Sequence, residues 1–233
     1  MATTSIFEEE ERPKLDKKAL QSDILYYLTK GVGGAFLKTF TKLQIEGEEN
    51  IPLIGKAILT TISKNPIRDM LIISQITGRK VHFMINHKLM KQKVIGPALK
   101  SIGMFRSTMN KDDTEPIDKV FEILNEKGNL VAMTPEAKYD REIQIKSIAG
   151  IIKFAIAAKA PIIPLAVVEV SNKLFNLIPS LGFVVKVGTP LKIERKLNRD
   201  KYRNERYRLA EEILGIIENL RNSIKNREEV NKK

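Results

Sequence analysis

Short runs of Val and Ile alternate along this chain with stretches patterned for helix. The runs are Ala57–Ile62, Val81–Asn86, Leu130–Thr134, Ile162–Glu169 and Phe183–Val187. Between them, Pro66–Thr77, Val94–Ser101, Glu115–Glu126 and Ile148–Ala158 carry apolar residues at helical spacing. In the third helix Ile117, Val120, Phe121 and Leu124 share a face, with Thr114 as N-cap and Gly128 as stop. Alternation of strands with helices argues for a sheet covered by helices on both faces. The fold class is therefore α/β, a mainly parallel sheet flanked by helices. A last helix, Tyr202–Lys225, turns Ala210, Ile213, Leu214, Ile217, Leu220 and Ile224 inward. A chain of 233 residues is enough for one such domain with a small appendage.

The appendage is N-terminal. Residues 1–14 read as disordered. From Lys14 to Lys42, Leu20, Ile24, Leu28, Val32, Phe36 and Phe40 recur at helical spacing among lysines and the pair Tyr26 and Tyr27. Gly31, Gly33 and Gly34 are expected to split this stretch into a helical hairpin. The division is then 1–43, a disordered start plus a basic amphipathic hairpin, and 44–233, the α/β domain with its C-terminal helix. Basic residues beside Tyr, Phe and Leu suit either an interfacial helix pair on a membrane or a cap over the core.

No window reaches about 18 uninterrupted apolar residues, so no spanning helix is expected. The segment Phe7–Arg12 is acidic and lacks the pattern of a secretory leader. The absence of Cys excludes disulfides and thiolate chemistry and fits a reducing compartment, so a cytoplasmic location is expected. A net charge of +12 calls for an anionic partner. Aromatics make up 6% and are not interleaved with Arg, which argues against stacking on nucleic acid. An anionic membrane surface or a phosphate-bearing substrate remains.

Open α/β sheets place their sites beyond the carboxyl ends of strands. Three such ends are polar: Ser63-Lys64 with Asp69, Asn86-His87-Lys88, and Thr134-Pro135-Glu136-Ala137-Lys138. Pro66 suits the first helical position, which puts Asp69 in the first turn. The order and spacing of these motifs resemble the glycerolipid acyltransferase family, the lysophosphatidic acid acyltransferases. That family shows Asn-His-x-x-x-x-Asp after a strand and Pro-Glu-Gly about seventy residues on. Other parts of the resemblance are Ile45-Glu46-Gly47-Glu48-Glu49-Asn50-Ile51-Pro52 before the first core strand, Ala160-Pro161-Ile162-Ile163-Pro164-Leu165, and Val187-Gly188-Thr189-Pro190. It spans about residues 44–192.

The resemblance implies transfer of an acyl group from acyl-CoA or acyl carrier protein to a lysophospholipid or glycerol-phosphate acceptor in phospholipid synthesis, at the membrane periphery. No cofactor or metal is implied. In the family the histidine takes the acceptor's proton and the aspartate orients it. Here Lys64 stands where that histidine belongs, with Asp69 retained. A lysine, with an ordinary pKa of about 10.4, is a cation at neutral pH and cannot accept a proton. An ion pair between Lys64 and Asp69, or a Lys64 that binds phosphate, is expected instead; Lys64 serves as the catalytic base only if burial or neighbouring cations lower its pKa by about three units. His87, at a strand end, is the other candidate base. The resemblance gives Lys88, Glu136, Lys138 and Arg106 to acceptor or phosphate binding. His82 lies at odd spacing from His87 along the strand, so it faces the other side and reads as a packed or rim residue. Ala137 replaces the family's glycine. A relative that has lost turnover and binds lipid or a protein partner is the alternative.

Overall fold

The computed structural model describes residues 17–230 apart from 94, 109–111, 127 and 175–177. The expected disordered start, and the start of the predicted helix at Val94, lie outside the described residues. Its elements run α1 (Lys17–Phe40), β1 (Lys42–Glu46), β2 (Ala57–Thr60), α2 (Pro66–Gln75), β3 (Val81–Ile85), α3 (His87–Met90), α4 (Ile95–Ser101) and β4 (Phe105–Arg106). Then follow α5 (Glu115–Phe121), β5 (Leu130–Met133), α6 (Arg141–Ala158), β6 (Ile162–Leu174), β7 (Ile178–Val187) and α7 (Arg203–Val230).

The strands form one sheet in the order β1-β7-β6-β2-β5-β3-β4. Every neighbouring pair is parallel except β6 with β7. All four residues of β2 and of β5 are buried, as expected of strands covered on both faces. Leu59, Phe83, Ala132 and Ile163 pack on the face carrying α1, α2 and α4. Ile58, Val131, Met133 and Ile162 pack on the opposite face with α5, α6 and α7. A fully buried Ile or Leu contributes about 1.5–3 kcal/mol through removal from water, so these two layers fix the sheet register.

The N-terminal hairpin does not form: α1 is one continuous helix through all three glycines. The reason is close packing. Gly33 and Gly34 face α2, where an added Cβ would lie 3.4 Å from Leu71 Cδ2 and 2.5 Å from Gln75 Oε1. These glycines admit α2 rather than break α1. Polar contacts reinforce the seat. Tyr26 Oη accepts from Val81 N at 3.0 Å, and Lys80 pairs with Asp23 at 2.7 Å.

Four other expectations shift. The helix predicted from Ile148 begins at Arg141, capped by Asp140, whose carboxylate accepts from Ile143 N at 2.8 Å. Thr114 precedes α5 in helical conformation and its side chain makes no capping bond. The strands β6 and β7 continue past Glu169 and begin before Phe183, as an antiparallel pair. The edge strands β1 and β4 were not foreseen.

Candidate active site

The carboxyl ends of β2, β5, β3 and β4 lie side by side along one edge of the sheet. Beyond β2 the chain continues into an isolated parallel bridge between Ser63 and Glu136. Ser63 N donates to Pro135 O at 2.8 Å, and Ala137 N donates to Ser63 O at 2.7 Å. The first and third polar strand ends are thus held together by backbone. The second joins them through Asn86, whose Nδ2 donates to Glu136 Oε1 at 2.6 Å and to Tyr139 Oη at 3.3 Å. The Asn86 carboxamide oxygen caps α3 by accepting from Lys88 N at 2.9 Å. Asn86 was not singled out from the sequence; its place beside His87 at a polar strand end was the available signal.

Asp69 sits in the first turn of α2, 3% exposed. The Lys64–Asp69 ion pair does not form. Ser63 Oγ donates to Asp69 Oδ2 at 2.8 Å, and Arg68 Nε and Nη2 both donate to Oδ1 at 3.0 Å. Arg68 also reaches Glu169 at 2.7 Å and lies over the Phe183 ring. The side chain of Lys64 is exposed instead. Asp69 therefore ties the start of α2 to the end of β2, and Arg68 ties α2 on to β6 and β7.

Inside the edge lies a cavity of about 290 Å³. Its walls are mostly apolar, with Met70, Phe83, Met133, Ile151 and Phe154, and its polar rim includes Asn86, Glu136 and Tyr139. It opens onto a groove that holds His87, Lys88, Arg106, Asp113 and Lys146. Ser107, Thr108 and Tyr139 line both. Neither Lys64 nor Asp69 lines either space.

Several of the expected cations are already neutralised. Arg106 is clamped by both Asp113 and Glu115, which raises its pKa and holds Asp113 down at about 2. Two carboxylates thus offset the charge that was expected to meet a phosphate. Lys138 pairs with Glu136 at 2.5 Å. Burial pushes the Glu136 carboxyl up, but bonds from Lys138 and Asn86 outweigh burial and hold it below its ordinary value. His82 is buried within β3, its Nδ1 3.3 Å from Gly103 O, and belongs to the core. Among the predicted site residues, His87 and Lys88 face the groove without such a carboxylate clamp among the described ion pairs.

Residues 42–168, more than half of the chain, match the family described as Acyltransferase. The chain belongs to the acyltransferase family. No curated protein matches it significantly. Among solved structures it is similar to the 1-acyl-sn-glycerophosphate (LPA) acyltransferase PlsC from Thermotoga maritima. The two share 15% identity and a TM-score of 0.56, over 89% of this chain and 84% of that one. That likeness is one of fold. In this acyltransferase the edge has its apolar cavity and polar rim. The position five residues before its buried aspartate holds a solvent-facing lysine.

Proposed function

We propose that this protein transfers an acyl group from a thioester donor, acyl-CoA or acyl carrier protein, to a lysophospholipid or glycerol-phosphate-type acceptor, with His87 as the proton acceptor. The observation that carries this is placement. His87 stands on the wall of a groove into which the apolar cavity opens, while Lys64 lines neither. Pockets for small ligands begin at about 300 Å³, so the cavity suits the apolar part of a substrate, and the groove beside Lys88 suits its anionic part. In the reaction, the acceptor hydroxyl oxygen bonds to the thioester carbonyl carbon as His87 takes its proton. The C–S bond then breaks, and the proton passes to the departing thiolate. General-base assistance of this kind contributes about 10²–10⁴-fold.

The protein acts at the periphery of an anionic membrane. No helix among the described residues is long and apolar enough to cross one. The outer face of α1 nonetheless shows Ile24, Leu28, Phe36 and Val32 to solvent, Val32 at 65% exposure. A helix apolar on both its inner and outer faces has a second partner to find. The four lysines of α1 against one aspartate favour an anionic lipid surface.

The test is an acyl-transfer assay with lysophosphatidic acid and a series of acyl-CoA and acyl carrier protein donors. Wild type and Lys64→Ala are expected to turn over alike, and His87→Asn to lose at least about a hundredfold. Full activity in His87→Asn would reject His87. One observation favours a second reading, a relative that binds lipid without turnover: both Asp69 carboxylate oxygens are engaged by Ser63 and Arg68. Wild type that is silent with every donor yet retains lysophosphatidic acid in equilibrium dialysis would establish that reading.

A further inference from the structure

Leu53 and Ile54 stand at the tip of the turn between β1 and β2, 88% and 90% exposed. Among the described residues no large apolar side chain stands further into solvent. The turn is not loosely held. Ile51, just before it, is buried, and Asn50 Nδ2 donates to Val187 O at 3.1 Å. Arg79 clamps its base, donating to Pro52 O at 2.7 Å and to Gly128 O at 2.8 Å. Gly55, with φ at +91°, closes it. A rigid turn gains nothing for its own fold by displaying two adjacent aliphatic residues, since polar residues serve turns at least as well.

The tip adjoins α1. Arg79, which grips Pro52, lies near Tyr27 in the middle of α1, and the neighbouring Tyr26 bonds to Val81, two residues beyond Arg79. Helix and tip are therefore both fastened to the Arg79–Val81 segment at the amino end of β3. The basic charge comes from the helix: Asp23, the single acid of α1, is paired with Lys80 and Lys17 and Lys38 are exposed, whereas the loop itself carries exposed Glu48 and Glu49 before the tip and Lys56 after it.

We infer that Leu53 and Ile54 form a second membrane anchor that enters an anionic bilayer alongside α1. The inference rests on the docking reading above and adds to it the depth and orientation of docking. Two aliphatic side chains entering the acyl boundary beside a basic helix combine the apolar and electrostatic terms of interfacial binding. From the tip, β2 runs through four residues, a rise of about 13 Å, to the strand end that leads to Ser63.

The chain contains no Trp, so an introduced one reports alone. Leu53→Trp, Ile54→Trp and, on the helix, Val32→Trp are each mixed as full-length protein with vesicles of phosphatidylglycerol and phosphatidylcholine in equal parts. The same is done with vesicles of phosphatidylcholine only. The expected result is a blue shift of emission for all three with the anionic vesicles, and quenching by brominated acyl chains. Leu53→Ser/Ile54→Ser is expected to weaken partition by about tenfold or more. A shift at residue 32 with none at 53 or 54 would overturn the second anchor and leave helix docking standing. No shift at any site, with the protein folded by circular dichroism, would overturn both. Emission already blue without vesicles and deepening with protein concentration would assign the tip to self-association, and so would also overturn the proposal.

Discussion

Asp69 is where sequence and structure part most sharply. From its spacing to Lys64 and Glu136 its carboxylate reads as a site residue, yet it lines neither the cavity nor the groove. Its actual partners, Ser63 and Arg68, were not legible, because an Arg beside an Asp in a helix reads as a solvated pair. Breaking a buried pair leaves the partner uncompensated. Asp69→Ala is therefore expected to cost about 3 kcal/mol, with Asp69→Asn costing less, both read from the urea midpoint. Lys64→Ala, on an exposed side chain, should stay within about 0.5 kcal/mol of wild type. It follows that lost activity in Asp69→Ala has to be read beside its stability. The same geometry bears on repair. A histidine placed by Lys64→His meets a carboxylate already occupied, so that single change is expected to add no acyl transfer.

The elements were legible in type and less so in extent. Runs of Val and Ile located five of the seven strands, because burial on both faces leaves no room for polar alternation. The two-residue β4 and the half-exposed β1 carry no such run and were missed. The glycines of α1 show why punctuation in a sequence misleads: a glycine that ends a helix and one that admits a neighbouring helix are the same residue. Gly31 discriminates between the two readings. Nothing lies within 4 Å of the Cβ it lacks. In a continuous helix Gly31→Ala should stabilise by about 1 kcal/mol, whereas at the break of a hairpin it should not. Thermal melting followed by circular dichroism decides it. Gly96→Ala should behave oppositely, since its Cβ would lie 2.2 Å from the Met90 carbonyl oxygen.

For the molecule as a whole, α1 is joined to the sheet through buried groups, which makes its attachment sensitive to alkali. Burial raises the Tyr26 pKa from 10.0 to about 12. Its folded value is raised, so stability is full below pH 10 and falls as pH climbs through about 12, the unfolded state alone releasing the proton in between. That shift corresponds to about 3 kcal/mol. Chemical unfolding between pH 9 and 12 should show this loss in wild type and a flatter profile in Tyr26→Phe. The latter starts lower, because Val81 N loses its acceptor. With a net charge of +12, partition onto anionic vesicles should weaken steadily as salt is raised from 0.05 to 0.5 M, that is, as the screening length falls from above about 10 Å to well below it.

The sequence by itself determined the α/β class, the five central strands, the polar strand ends and the family, because periodicity and motif order are properties of neighbours along the chain. Tertiary structure alone decided which charges are neutralised, that Asp69 is held by Arg68, that Lys64 faces water, and that His87 faces a groove. Those outcomes depend on which loops the sheet order sets side by side. Ion pairs such as Arg68–Glu169 form across 101 residues of chain, where no local pattern can announce them.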